Sequence, residues 1–352
     1  MKIKELQEEL VKKKVDVALF YNLDYLVHNS NLFYFSGYRG TGMLVVPALK
    51  NPFLIVPKME YTPIMAHKIK RYTLAKGRLF ETALTRIKKV GISAKRIGID
   101  KESFSIRYYN RFKKVFRKAK IFDVAKICHE LRKTKTDREI GIIKKACLIT
   151  DRIIMNCIDN FQKFRTEFDV KKFLHIETIK ADCELSFNPI VASGRDSSYV
   201  HYNGNKKLRK GFCIIDFGIR YRGYCTDITR TIHIGTPSHK EREAYNRVLK
   251  LQEDIIRNID EGTKCKDLYN IAKKVLGRYF THGLGHGLGV DVHELPGLTS
   301  DSKESLQNNN VVTVEPGVYY PGRFGIRIED DILVTRGGAV QLTKTDKALE
   351  VV

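Results

Sequence analysis

Four carboxylates, set in two matched segments, are the residues of this chain best placed to do chemistry. The first segment runs Gly211-Phe212-Cys213-Ile214-Ile215-Asp216-Phe217-Gly218 and resumes as Tyr224-Cys225-Thr226-Asp227-Ile228-Thr229-Arg230-Thr231. Both halves have strand composition, and a two-residue turn at Tyr221-Arg222 sets Asp216 directly opposite Asp227, with Cβ atoms about 5 Å apart. Like charges so placed destabilise a sheet unless a cation neutralises them. An aspartate after Cys213-Ile214-Ile215, in an apolar strand, is equally disfavoured without a partner. The second segment, from Val311 to Tyr320, turns at Pro321-Gly322-Arg323 and returns as Gly325-Ile326-Arg327-Ile328-Glu329. A turn centred on Gly322 faces Glu315 with Glu329. Two such hairpins make a four-carboxylate site whose charge two divalent ions balance. Oxygen-rich donors suit hard to borderline metals: Mn²⁺, Co²⁺, Zn²⁺ or Fe²⁺.

Between the hairpins lies Thr281-His282-Gly283-Leu284-Gly285-His286-Gly287-Leu288-Gly289-Val290-Asp291-Val292-His293-Glu294. His282 and His286 have zincin spacing, but glycines oppose a helix and no Glu follows His282. The glycines also miss the dinucleotide fingerprint, because its third position falls on Leu288 or Val290. Three histidines on a backbone that lets other groups approach closely still favour a site.

Positioning these residues requires a large core, and 352 residues suffice for two domains. The 43% hydrophobic and 29% charged content is that of a globular protein. Strand-like runs at 15–20, 44–46 and 53–56 alternate with helical patterns at 61–69 and 80–90, which predicts an α/β domain over 1–126. Long helices then begin, at about 124–132 and 136–161, followed by helices at 167–181, 239–259 and 265–277 among strands and turns. The second domain is therefore set at 127–352.

The longest apolar run, 43–49, is too short to span a bilayer, and the charged amphipathic start at 1–10 is no signal peptide. Seven scattered cysteines without a Cys-x-x-Cys pair argue against disulfides and zinc ribbons, and with the rest predict a cytoplasmic protein. The formal charge is +23, and residues 1–130 hold 27 Lys and Arg against 11 Asp and Glu. That excess raises a nucleic-acid or ribosome-associated binding protein as the rival from another class. Its best segment is Arg107-Tyr108-Tyr109-Asn110-Arg111-Phe112-Lys113-Lys114-Val115-Phe116-Arg117-Lys118-Ala119-Lys120. The same residues read as an amphipathic helix with Ile106, Tyr109, Phe112 and Phe116 inward, and this reading is preferred.

The set Asp216, Asp227, His286, Glu315 and Glu329 resembles, in order and context, the metal centre of the pita-bread dinuclear metallopeptidases. These comprise methionine aminopeptidases, aminopeptidases P and Xaa-Pro dipeptidases (prolidases), and the resemblance covers most of 127–352. It implies a creatinase-like α/β N-terminal domain and an α+β pita-bread catalytic domain. It also implies two divalent ions per subunit, Mn²⁺ or Co²⁺ first. By resemblance Asp216 chelates one ion, His286 and Glu315 hold the other, and Asp227 and Glu329 bridge them. Such a pair acidifies a bridging water into a hydroxide that attacks the scissile carbonyl. Glu315 then shuttles a proton, His201 and His293 bind substrate and stabilise the tetrahedral intermediate, and His282 lines the pocket. Arg327 has two roles open to it: orienting the bridging carboxylates, or pairing with a dipeptide's C-terminal carboxylate.

Tyr34-Phe35-Ser36-Gly37-Tyr38, Ala192-Ser193-Gly194 followed by His201-Tyr202, and the Gly325-to-Asp330 run resemble the proline-directed branch. The methionine branch lacks a large N-terminal domain. Overall length resembles the compact prolidases, so the expected activity is hydrolysis of Xaa-Pro dipeptides by a homodimer. Aminopeptidase P, acting on longer Xaa-Pro-Yaa peptides, is the alternative. Binding-only relatives have lost ligands, whereas this sequence keeps all five.

Overall fold

The computed structural model describes residues 2–22, 29–60, 71–75 and 77–352. The helical pattern expected at 61–69 lies outside the described residues. The chain divides into two units, Met1–Leu131 and Arg132–Val352. The division falls near the end of a helix that begins at Ala125, rather than at residue 126.

In the first unit the elements run α1 (Lys2–Lys12), β1 (Val17–Asn22), α2 (Ser30–Ser36), β2 (Gly42–Pro47), β3 (Phe53–Pro57), β4 (Tyr72–Ala75), α3 (Leu79–Lys89), β5 (Arg96–Ile99), α4 (Ile106–Val115), β6 (Lys120–Asp123) and α5 (Ala125–Lys133). The strands form one mixed sheet in the order β4-β3-β2-β1-β5-β6. Alternation along β1 decides what each face carries. Val17, Leu19 and Tyr21 join Ala83, Ile87, Phe112 and Phe116 of the α3 and α4 side in one core, while Phe20 on the other face packs on Phe35 of α2 with ring centroids 5.4 Å apart. On α4, Phe112 and Phe116 are buried as the amphipathic pattern predicts, but Ile106 is 81% exposed. It occupies the first turn, and Phe104, just before the helix, packs against Tyr109 and Phe112 instead.

The second unit contains α6 (Asp137–Asp159), α7 (Glu167–Lys180), β7 (Glu184–Leu185), β8 (Ile190–Ser193), β9 (Gly211–Phe217), β10 (Ile219–Tyr221), β11 (Tyr224–Cys225), β12 (Ile228–Ile234), α8 (His239–Arg257), α9 (Cys265–Leu276), β13 (Gly285–Gly287), β14 (Glu294–Leu298), β15 (Val311–Val314), β16 (Gly317–Tyr320), β17 (Phe324–Arg327), β18 (Asp330–Thr335) and β19 (Gly338–Gln341). Thr136, Thr166 and Ser238 open α6, α7 and α8 with full capping boxes to Glu139, Asp169 and Glu241. The helices cover the sheets in pairs. Ile149, Ile153 and Cys157 of α6, with Val170 and Leu174 of α7, pack on Val191, Ile215, Phe217 and Ile232. Val248, Leu251 and Ile255 of α8, with Leu268 and Ala272 of α9, pack on Val312, Val314, Ile326 and Ile332.

Each carboxylate hairpin spans two sheets and keeps one register through the break between them. In the second hairpin, Gly317 pairs with Arg327 and Val314 with Asp330. Glu315 and Glu329 are therefore register partners at the break, as the Gly322 turn predicts. In the first hairpin the turn falls at Arg222-Gly223, not at Tyr221-Arg222, so Tyr221 pairs with Tyr224 and Asp216 with Thr229. Both turn residues have positive φ, +49° and +90°. That is the conformation of a type I′ turn, in which glycine suits the second position. The shift is two residues, which keeps every side chain on its expected face. Asp227 thus lies diagonal to Asp216 rather than opposite it, in the gap between β11 and β12.

Candidate metal centre

The two breaks carry the site. Asp227, His286 and Glu329 each bring one donor atom into a group whose members all lie within 4.8 Å of one another, and His286 Nε2 is 3.7 Å from Asp227 Oδ2. His286 Nε2 is also 3.4 Å from Glu315 Oε1. Asp216 joins the cluster through Arg327, whose Nη2 donates to its Oδ2 at 2.7 Å. Three of the five expected ligands thus form the tight group, with Glu315 beside His286 and Asp216 tied in through Arg327.

The local backbone explains how His286 arrives there. It sits in β13 between Gly285 and Gly287, and a Cβ at either glycine would lie 2.0 Å from the Thr313 carbonyl oxygen or 2.1 Å from that of Leu295. Neighbouring backbones therefore press against β13 and fix its course. His286 N–H donates to Thr313 Oγ1 at 3.1 Å. The ring Nδ1 lies 3.1 Å from the Gly287 carbonyl, which can only accept, so Nδ1 carries the hydrogen and Nε2 presents a lone pair to the carboxylates. Burial holds the imidazole's pKa below its ordinary value, which keeps it neutral as a ligand must be.

The carboxylates are under electrostatic stress. Burial pushes Asp227 well above the usual carboxylate range, and Glu329 and Asp216 add to the rise. Glu329 is raised well above that range by burial, then by Glu315 and Asp216. Burial also raises Glu315, against the lowering effect of His282 and Arg327. Asp216 Oδ1 and Asp227 Oδ1 are buried without a hydrogen-bond partner. Buried acceptors facing one another with lone pairs unmatched are what a divalent cation satisfies, so this donor set fits the metals expected for it.

Arg327 is turned toward the carboxylate cluster. It is buried, with Nη2 on Asp216, Nη1 donating to Tyr319 OH at 2.7 Å and Nε to Thr229 Oγ1 at 3.2 Å. Each of its three nitrogens makes a hydrogen bond inside the protein. His282 is likewise bonded within the protein. Its Nδ1 donates to the Gly283 carbonyl at 2.7 Å, and its Nε2 lies 3.0 Å from Tyr319 OH, which donates to it. Both ring nitrogens thus have protein partners. His293 stands at the rim with its ring edge-on to His286, centroids 4.3 Å apart. Burial and the neighbouring His286 lower its pKa. His201 lines a cavity of about 650 Å³ with Arg195, Tyr199, Tyr202 and Lys206, near enough to bear on the charge of both His282 and His293.

Sequence reasoning missed the residues that hold the ligands. Thr229 Oγ1 donates to Glu329 Oε2 at 2.6 Å, and Thr313 Oγ1 to Glu315 Oε1 at 3.3 Å. Asp331 Oδ2 accepts the Asp227 N–H at 3.1 Å. Arg230 uses all five donors on the carbonyls of Thr229, Glu329, Thr345 and Asp346 and on Asp330 Oδ1, stapling the two carboxylate breaks together. The one available signal was alternation, which puts Thr229 on the same face as Asp227.

Comparison with known proteins places this geometry. Residues 141–336 match the profile of Metallopeptidase family M24, and residues 2–134 that of the Creatinase/Prolidase N-terminal domain. The Xaa-Pro dipeptidase of Pyrococcus horikoshii is 32% identical over 360 residues, covering 99% of this chain and 98% of that protein. Among solved structures, the Xaa-Pro dipeptidase from Bacillus anthracis gives a TM-score of 0.91 at 31% identity, covering 100% of this chain and 99% of its own. The X-Pro aminopeptidase from Thermotoga maritima gives 0.88 at 30% identity, covering 99% and 100%.

Proposed function

This chain belongs to metallopeptidase family M24, with a creatinase-type N-terminal domain and a pita-bread catalytic domain, and on that footing we propose that it hydrolyses Xaa-Pro dipeptides. The observation that carries the proposal is the buried convergence of Asp227, His286 and Glu329, with Glu315 and Asp216 alongside, in a chain whose relatives across its full length include Xaa-Pro dipeptidases.

Asp216, Asp227, His286, Glu315 and Glu329 would hold two divalent ions, Mn²⁺ or Co²⁺ by preference and Zn²⁺ or Fe²⁺ as alternatives, since oxygen-rich donors with one imidazole accept all four. Bound there, the ions supply Lewis acidity for the scissile carbonyl and a water of lowered pKa. The chain's own residues do the rest. Asp227, at the break of the first hairpin, and Glu329, at the break of the second, would share in holding both ions. Glu315, whose affinity for a proton is raised by burial, takes one at its carboxylate and passes it to the leaving imide nitrogen. Thr313 holds that carboxylate in place. His293 and His201, on the open side, hydrogen-bond the substrate and the oxygen that gains charge. A proline imide offers no N–H, so selection rests on ring shape.

The coarser features fit this reading. Among the described residues no helix is long and apolar enough to cross a membrane. All seven cysteines are free, which supports a reducing, cytoplasmic setting. A homodimer is the proposed assembly. The test is a comparison of Met-Pro and Ala-Pro with Met-Pro-Ala after Mn²⁺ or Co²⁺ loading. Faster cleavage of the dipeptides is expected; a preference for the tripeptide would instead make the protein an aminopeptidase P.

A further inference from the structure

We infer that Glu294 is a positioning residue for His293, acting from a buried ionic clamp outside the metal centre; the inference rests on the peptidase reading above. Glu294 begins β14, and successive side chains of a strand point to opposite faces. His293, just before the strand, turns its ring toward His286, while Glu294 turns inward to Arg132 in the last turn of α5 and Lys135 in the segment that joins α5 to α6. Glu294 Oε1 accepts from Arg132 Nε at 3.1 Å and Nη2 at 2.6 Å, and Oε2 accepts from Lys135 Nζ at 3.2 Å. The three side chains are 2%, 2% and 1% exposed. Arg132 also pairs with Asp291.

The same carboxylate shapes the loop between the two ring partners. Oε1 accepts the Asp291 N–H at 3.0 Å, and the Gly289 N–H donates to the Asp291 carbonyl at 3.0 Å. A Cβ on Gly289 would meet Glu294 Oε2 at 2.5 Å, so the loop wraps the carboxylate without spare room. Removing one member of a buried, hydrogen-bonded ion group leaves the others uncompensated, so this group fixes one arrangement strongly. A loop carrying His293 at one end and His286 just before the other is thereby tied to the rigid start of α6. Small displacements of a group that contacts substrate are costly to rate, which gives the clamp a functional consequence rather than a purely structural one.

Two variants test this: Glu294→Gln, which keeps shape and loses charge, and Gly289→Ala, which keeps charge and displaces the carboxylate. Hydrogen exchange in the metal-loaded protein is expected to quicken at least about tenfold in peptides covering 287–292 and to stay unchanged in α8 and α9. Hydrolysis of Met-Pro should fall about 10- to 100-fold, the range for residues that orient contacting groups. In the His293→Ala background Glu294→Gln should cost less than about threefold more, because the residue it positions is already gone. Unchanged local exchange in both variants overturns the proposal. So does an equal loss from Glu294→Gln with and without His293. A wild-type protein inactive on every Xaa-Pro substrate would sink the peptidase reading instead, while the exchange measurement would still decide the clamp.

Discussion

At His286 a single hydrogen bond settles the chemistry: with Nδ1–H on the Gly287 carbonyl, only Nε2 can face Asp227 and Glu315. Glu329 depends in the same way on Thr229, whose hydroxyl also accepts from Arg327 Nε. Replacing Thr229 by Val leaves a buried guanidinium N–H and a carboxylate each one bond short, at a cost of about 1–3 kcal/mol. It should also weaken metal binding about 10- to 100-fold, read by metal titration. Glu329→Ala should lose at least one bound ion per chain and most of the activity; normal metal content with full activity would refute the bridging role. The acids also set a pH dependence. Asp227, Glu315 and Glu329 titrate above the usual carboxylate range through burial, whereas in the unfolded chain they ionise near pH 4. The folded, metal-free protein therefore binds more protons above about pH 4 and loses stability as pH rises through that window. The melting temperature of chelated protein should fall from about pH 5 to pH 8 relative to Mn²⁺-loaded protein. A gap that does not widen with pH would contradict this origin.

At the scale of elements, the carboxylates were legible because each interrupts an apolar strand, and the Gly322 turn fixed the second register from chemistry alone. The first register was misjudged by two residues because Tyr221-Arg222-Gly223-Tyr224 allows two turn placements, and only the need for positive φ at both turn positions decides between them. The face assignment survived because strand alternation has a period of two. Residues such as Thr229, Arg230, Tyr319 and Asp331 could not be singled out, since their types are ordinary and their partners lie about a hundred positions away or on another strand. The Glu294 clamp belongs to this class. Its cations, Lys135 first and then Arg132, overcome burial and hold the carboxyl down to about 2. A depressed pKa contributes stability above the ordinary value of about 4.3, and that contribution is lost as pH falls toward 2. Differential acid denaturation of wild type and Glu294→Gln should show the wild-type advantage shrinking below about pH 4.

For the whole molecule, the +23 charge no longer points to nucleic acid. Phe112 and Phe116 of the basic segment are stacked on each other, and Phe112 also packs on Phe104 just before it, so these two rings are not displayed for base stacking. Retention on nonspecific RNA should be absent at physiological ionic strength, measured by filter binding. The thiols give a second global check. Burial pushes Cys157 and Cys225 up to about 12 and Cys265 to about 11, and only Cys183 is part-exposed. A thiol reagent should label at most one cysteine rapidly in the native protein and seven after denaturation. The most direct test of the whole account is the rate of Met-Pro hydrolysis as Mn²⁺ or Co²⁺ is titrated into chelator-stripped protein, with bound metal counted. The metal-stripped protein should be inactive and activity should saturate at two ions per chain; hydrolysis without metal, or two bound ions with no cleavage of any Xaa-Pro peptide, would contradict it.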